Sequence, residues 1–148
     1  MEIAYASRHK LPVGIIMMDI DNFKQVNDQY GHLVGDSVLS QFSNLVIENK
    51  RTEDLFARYG GEEFIIMPRG EMNKEFMYKQ CERVRKATEN FEFRFEEKLV
   101  RITASLGFHI KKVESADSET VLNDIILKAD EALYLAKERG KNRTESFL

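Results

Sequence analysis

The sequence predicts an α+β domain in which one central, mainly antiparallel β-sheet is flanked by helices, on the ferredoxin-like plan. Three observations predict it. Val13–Asp19 (VGIIMMD) is an unbroken apolar run of strand length, the pattern of a strand covered on both faces. A Gly60-Gly61 step joins two short strand-like segments, as in a tight hairpin with positive φ. Stretches with apolar residues at helical spacing alternate with these strands, and residues 99–110 alternate with period two.

Taken in order, the residues before Pro12 read as the tail of a helix, with Ile3, Ala4 and Ser7 on one side and the proline marking its end. The apolar strand follows and stops at the charge of Asp19. A short helix is predicted from Asn22 to Tyr30, stopped by Gly31, with Asp21 placed to be its N-cap. Asp36 opens a second helix whose stripe is Val38, Phe42, Leu45 and Val46. Residues 54–59 (DLFARY) and 63–67 (EFIIM) are the hairpin strands. Residues 73–90 form a helix with Met77, Cys81, Val84 and Thr88 along one side. Residues 99–110 predict one long strand with Ile102, Ala104, Leu106 and Phe108 on one face. The last helix begins at Ser118 or Glu119, carries Leu122, Ile125, Ile126, Ala129, Leu133 and Ala136, and ends at Gly140.

A chain of 148 residues predicts a single domain able to bury a core without disulfides. Its 22 Lys and Arg against 25 Asp and Glu give a net charge of −3, which argues against nucleic acid as a partner. The one cysteine, Cys81, fits a reducing compartment. Neither a membrane-spanning run nor a signal peptide is legible in this segment, so a cytoplasmic location is expected.

Three constellations carry chemistry. Asp19, Asp21, Glu62 and Glu63 converge if the apolar strand and the hairpin are neighbours. Clustered carboxylates repel, and a divalent cation, Mg²⁺ or Mn²⁺ for an all-oxygen set, is the usual reason to gather them. Pattern alone leaves open that they are strand-end acids facing water. Asp21-Asn22-Phe23-Lys24 sits at a helix start, where free N–H groups suit a phosphate. Lys137 and Lys141 close the last helix, where they either meet a polyphosphate or complement the helix dipole. Gly31-His32 and Gly35-Asp36 are loop punctuation on their own. The sequence contains no P-loop, GxSxG elbow, CxxC pair or HExxH helix, so those chemistries fall away.

Together these pieces resemble the GGDEF family of diguanylate cyclases. The matching residues are Asp19-Ile20-Asp21-Asn22-Phe23-Lys24-Gln25-Val26-Asn27-Asp28, Tyr30-Gly31-His32 and Gly35-Asp36. They continue in Arg58-Tyr59-Gly60-Gly61-Glu62-Glu63-Phe64 (the GGEEF form), Ser105-Leu106-Gly107, and Ala129-Asp130-Glu131-Ala132-Leu133-Tyr134 with Ala136-Lys137. The resemblance implies a nucleotidyl-cyclase-like palm. It implies that Asp19 and Glu62, with the Ile20 carbonyl, hold Mg²⁺ or Mn²⁺, and that Glu63 adds charge there and assists deprotonation of a hydroxyl. It also implies that Phe23 and Lys24 offer N–H groups to phosphates, that Lys137 and Lys141 bind the terminal phosphates, and that Asn27 and Asp36 read guanine.

The family reaction joins two GTP into cyclic di-GMP with release of two pyrophosphates, and it requires two subunits face to face. Arg51-Thr52-Glu53-Asp54 matches the family's RxxD product-inhibition site, with Arg83 or Arg85 as a second arginine. Two departures stand out. Residues 1–148 read as one GGDEF domain lacking the usual N-terminal Asp-x-Leu-Thr-Gly-Leu-x-Asn-Arg segment, and a regulatory domain is expected N-terminal to it. Lys141 stands where arginine is common, which keeps the charge but gives up bidentate phosphate contact. The competing reading is a non-catalytic module that binds GTP or cyclic di-GMP; a pure receptor has no need of the metal acids.

Overall fold

The computed structural model describes residues 11–70, 72–113 and 118–147, the side chain of Ser118 excepted. The helix expected before Pro12 lies outside the described residues. In chain order the elements are β1 (Pro12–Ile20), α1 (Phe23–Tyr30), α2 (His32–Asn49), β2 (Leu55–Gly60), β3 (Glu63–Met67), α3 (Lys74–Asn90), β4 (Phe93–Phe95), β5 (Lys98–Val100), β6 (Ala104–Lys112), α4 (Ser118–Glu138) and β7 (Thr144–Ser146).

The main sheet has the order β2-β3-β1-β6-β7, with β1 antiparallel to both β3 and β6, and β7 parallel to β6. The apolar run forms the predicted doubly covered strand, and every residue from Val13 to Ile20 is buried. Strand alternation divides its side chains between two cores. Ile16, Met18 and Ile20 join Phe42, Phe64, Met77, Leu106 and Phe108 on the face covered by α1, α2 and α3. Val13, Ile15 and Met17 pack with Val121, Ile125, Ala129 and Leu133 of α4 on the other. By the same parity Asp19 belongs to the α4 face, at the end of the strand.

Four local expectations are corrected. First, α2 begins at His32, four residues before Asp36. Gly31, at φ 91°, ends α1 and caps α2 in one step, so the second helix needs no intervening loop. Leu33 is 76% exposed, but Val34, buried four residues before Val38, carries the apolar stripe into this first turn, and the two glycines around it masked the helix in the sequence. Second, residues 99–110 do not form one strand. Lys98–Val100 turn back on Phe93–Phe95 as a separate hairpin through Glu96 at φ 54°, and the main sheet resumes at Ala104. The Thr103 carbonyl accepts the Asp21 N–H at 2.9 Å, one step beyond the Ile20–Ala104 pair, so contact with β1 is lost only before Thr103. Third, β4 and β7, three residues each, are too short to announce themselves. Fourth, Asn22 rather than Asp21 is the N-cap position of α1.

Candidate active site

The carboxylates meet where β1 ends against the hairpin. Asp19 pairs with Glu63 across β1 and β3, and with Ser105 across β1 and β6. Cross-strand partners share a face, so Glu63 stands beside Asp19 on the α4 side. The turn itself is Gly61-Glu62, with Gly61 at φ 49° and its carbonyl held by Arg58 Nε at 2.7 Å. Gly60, which the sequence assigned to the turn, is the last residue of β2.

Asp19 is 5% exposed, and only one of its oxygens is paired: Lys137 Nζ donates to Oδ2 at 2.5 Å, while Oδ1 is buried without a hydrogen bond. Burial of the charged form raises its pKa to about 6 against the help of Lys137, and the charges of Glu62 and Glu63 push the same way. Glu63 is raised too, by burial first and then by Asp130. A buried, unpaired carboxylate oxygen flanked by two more acids is a donor set short of a cation, and a hard divalent ion fits it. Among the described residues no three acid, histidine or cysteine side chains chelate an ion unaided. The groups that could hold such an ion are the Asp19 and Glu62 side chains with the Ile20 carbonyl, and an ion there would need further oxygen donors from outside the protein.

Asp21 does not belong to this group. It is 3% exposed and accepts from Thr103 Oγ1 (2.7 Å), Ser105 Oγ (2.6 Å) and the Asn142 N–H (3.0 Å). Its carboxylate is thus committed to tying the β1–α1 corner to β6 and to the turn after α4. That turn is a Schellman motif: the Gly140 N–H donates to the Lys137 carbonyl, the Lys141 N–H to that of Ala136, and Gly140 takes φ 122°. Its exit sets Lys141, whose Nζ reaches Asn22 Oδ1 at 2.5 Å. Lys137 and Lys141 thus reach the end of β1 and the start of α1, at Asp19 and Asn22.

Asn22 adopts a left-handed conformation (φ 56°) and makes no side-chain cap. Its carbonyl accepts from the Gln25 and Val26 N–H groups, and those of Phe23 and Lys24 have no acceptor among the described residues. Asn27 is half-buried and Asp36 exposed, and neither side chain bonds to another described residue. Sequence reasoning missed the bracing residues Thr103, Asn142 and Arg85. The last is locked by Glu82 (2.7 and 2.9 Å) and bonds Asn142 Oδ1 at 2.9 Å. No local pattern signals them, because Asp21 lies 82 residues from Thr103 and 121 from Asn142, and Arg85 lies 57 from Asn142.

The RxxD pair lies elsewhere, after α2. Arg51 Nη2 and Nε donate to Asp54 at 3.0 and 3.3 Å, and Arg51 lies 4.7 Å over the Phe76 ring. Asp54, 4% exposed, also accepts the Arg69 N–H at 3.1 Å. Phe76, Gln80 and Arg83 follow one another at helical spacing on α3, and Gln80 and Asp54 line one small cleft. Arg83 is therefore on the Arg51 side of the helix and exposed, whereas Arg85 is committed to Glu82 and Asn142.

The family profile described as "Diguanylate cyclase, GGDEF domain" matches residues 1–143. The chain belongs to the GGDEF family. Diguanylate cyclase A of Treponema denticola is 39% identical over 136 residues, covering 90% of this chain and 35% of its own length. Diguanylate cyclase DosC of Escherichia coli is 34% identical over 145 residues, covering 97% of this chain and 30% of its own. The chain thus spans about a third of these relatives. The active GGEEF domain of a diguanylate cyclase from Vibrio cholerae superposes with a TM-score of 0.85 at 34% identity, covering 98% of this chain and 88% of that one. The GGDEF domain of DgcB from Caulobacter crescentus, solved in complex with c-di-GMP, has a TM-score of 0.85 at 28% identity, covering 97% of this chain and 82% of that one. The GGDEF palm expected from the residues is thereby established for the described part of the chain. Among the described residues no helix is long and apolar enough to cross a membrane.

The Asp19 environment makes a prediction for the cation. A carboxyl whose pKa is raised from 3.8 to about 6 stabilises the fold below pH 3.8 and loses that contribution as pH rises through 6. The loss is about 3 kcal/mol for a shift of this size. A Mg²⁺ ion held by Asp19 would oppose it, because it would bind the ionised carboxylate. Thermal unfolding with and without Mg²⁺ is expected to show a larger rise in midpoint at pH 7.5 than at pH 5. Equal rises at the two pH values would remove Asp19 from the cation site.

Proposed function

We propose that this domain is a diguanylate cyclase that condenses two GTP into cyclic di-GMP, each bound to one subunit of a homodimer. The observation that carries the reading is the buried Asp19 carboxylate, with one oxygen held by Lys137 and the other unpartnered beside Glu62 and Glu63. A receptor has no use for so costly an arrangement. Asp19, Glu62 and the Ile20 carbonyl would hold Mg²⁺ or Mn²⁺, which when bound neutralises phosphate charge and acidifies the attacking hydroxyl.

The protein's own part is positioning. The free N–H groups of Phe23 and Lys24 receive phosphate oxygens at the helix start, and Lys137 and Lys141 take the terminal phosphates. Asn27 and Asp36 hold the guanine edge: a carboxylate accepts from N1–H and N2–H₂, and an amide serves both a donor and an acceptor. Each 3′-hydroxyl oxygen bonds to the α-phosphorus of the facing GTP while the bond to the β-phosphate bridge breaks, and pyrophosphate leaves. Glu63, raised by its surroundings, takes the hydroxyl proton. Incubation with GTP and Mg²⁺ is expected to yield cyclic di-GMP and two equivalents of pyrophosphate; saturable GTP binding without product would overturn the reading.

Arg51 and Asp54, with Arg83, form the proposed inhibitory site for cyclic di-GMP. Because Arg51 and Asp54 are paired with each other, the arginine would exchange its two bonds to Asp54 for contacts with the product. Arg51→Ala and Arg83→Ala are each expected to raise the half-inhibitory product concentration by about tenfold or more, with initial rates unchanged. Inhibition that persists in Arg51→Ala would remove the site; persistence in Arg83→Ala alone would return the second arginine to Arg85.

A further inference from the structure

Asn27 and Asp36 sit on different helices, and the structure gives the reason they can share a base. Gly31 folds α2 back on α1. That places Gly35, in the first turn of α2, against the Asn27 side chain. A Cβ at Gly35 would overlap the Asn27 amide oxygen and stand 3.0 Å from the amide carbon. The next atom, Phe23 Cζ, is at 3.4 Å, an ordinary contact. The space that any side chain would take at position 35 is therefore filled by one group, the Asn27 amide. No hydrogen bond to a described residue holds that amide, so its seat is the bare helix surface at Gly35. Glycine is the poorest helix former after proline, and its presence in a buried helical turn calls for such a cause.

We propose that Gly35 is a positioning residue for base specificity: its missing side chain seats the Asn27 amide next to Asp36, so that the two read guanine together. The inference rests on the roles given above to Asn27 and Asp36. It is tested by titrating GTP and, separately, ATP without divalent cation into the chain and into Asn27→Ala, Gly35→Ala and the double variant. Asn27→Ala is expected to weaken GTP binding roughly tenfold, the loss of one good hydrogen bond, and to leave ATP unchanged. Gly35→Ala is expected to lose the same factor for GTP alone. The double variant should match Asn27→Ala, because the added methyl then enters vacated space. Should Gly35→Ala fail to fold, the double variant is expected to fold as Asn27→Ala does.

Wild-type GTP affinity in Gly35→Ala, a further loss in the double variant, or failure of the double variant to fold would each overturn the proposal. Wild-type GTP affinity in Asn27→Ala would instead overturn the guanine-reading role, and the inference with it.

Discussion

Glu62→Ala and Glu63→Ala are each expected to abolish cyclic di-GMP formation while leaving the fold intact, with turnover falling by about three orders of magnitude or more. Both side chains are half-buried at the hairpin, outside the two cores, so neither holds the sheet together. Their charges instead oppose ionisation of Asp19, and stability in the metal-free protein should rise slightly when either is removed. The two variants separate by role. Glu62→Ala removes a proposed cation ligand and should weaken any stabilisation by Mg²⁺. Glu63→Ala leaves the proposed ligands Asp19 and Glu62 in place and should spare more of that stabilisation, failing chiefly in turnover. Normal turnover in both variants would remove the carboxylate site altogether.

Gly107→Ala is the substitution expected to cost most in stability. Gly107 pairs with Met17 on the α4 face of the sheet, and helix α4 crosses directly over it. An added Cβ would overlap the Leu133 amide nitrogen and lie 2.5 and 2.7 Å from the Ala132 carbonyl carbon and Ala129 oxygen. These are backbone atoms of a packed helix and cannot rotate aside. The cost is about 3 kcal/mol, read as a fall of roughly 6–12 °C in the unfolding midpoint for a domain of this size. The same movement would lift Lys137 from Asp19, so residual activity should fall further than the lost stability explains. An unchanged midpoint would show that α4 is free to shift, and with it the lysine.

These two sites also mark how much was legible in the sequence. The doubly buried strand announced itself through its unbroken apolar run, and with it Asp19 at its end and the hairpin acids beside it. Lys137 was legible as a helix-terminal lysine and phosphate candidate but not as the partner of Asp19, which lies 118 residues away, a distance that no local pattern encodes. Asp21 was misread, since an aspartate before a helix matches an N-cap; its true partners, Thr103, Ser105 and Asn142, are brought to it by the sheet and the final turn. Gly35 read as loop punctuation for a similar reason. Glycine in a helix is explained by what lies against it, and Asn27 is eight residues away around a reversal in the chain.

The measurement that tests the central claim most directly is the initial rate of cyclic di-GMP formation from GTP and Mg²⁺ as protein concentration is varied. Two half-sites that meet face to face predict a rate rising more steeply than linearly at low concentration and becoming linear as the dimer saturates. A strictly linear rate down to the lowest concentration at which the protein is shown to be monomeric, or no cyclic di-GMP at any concentration, would contradict it.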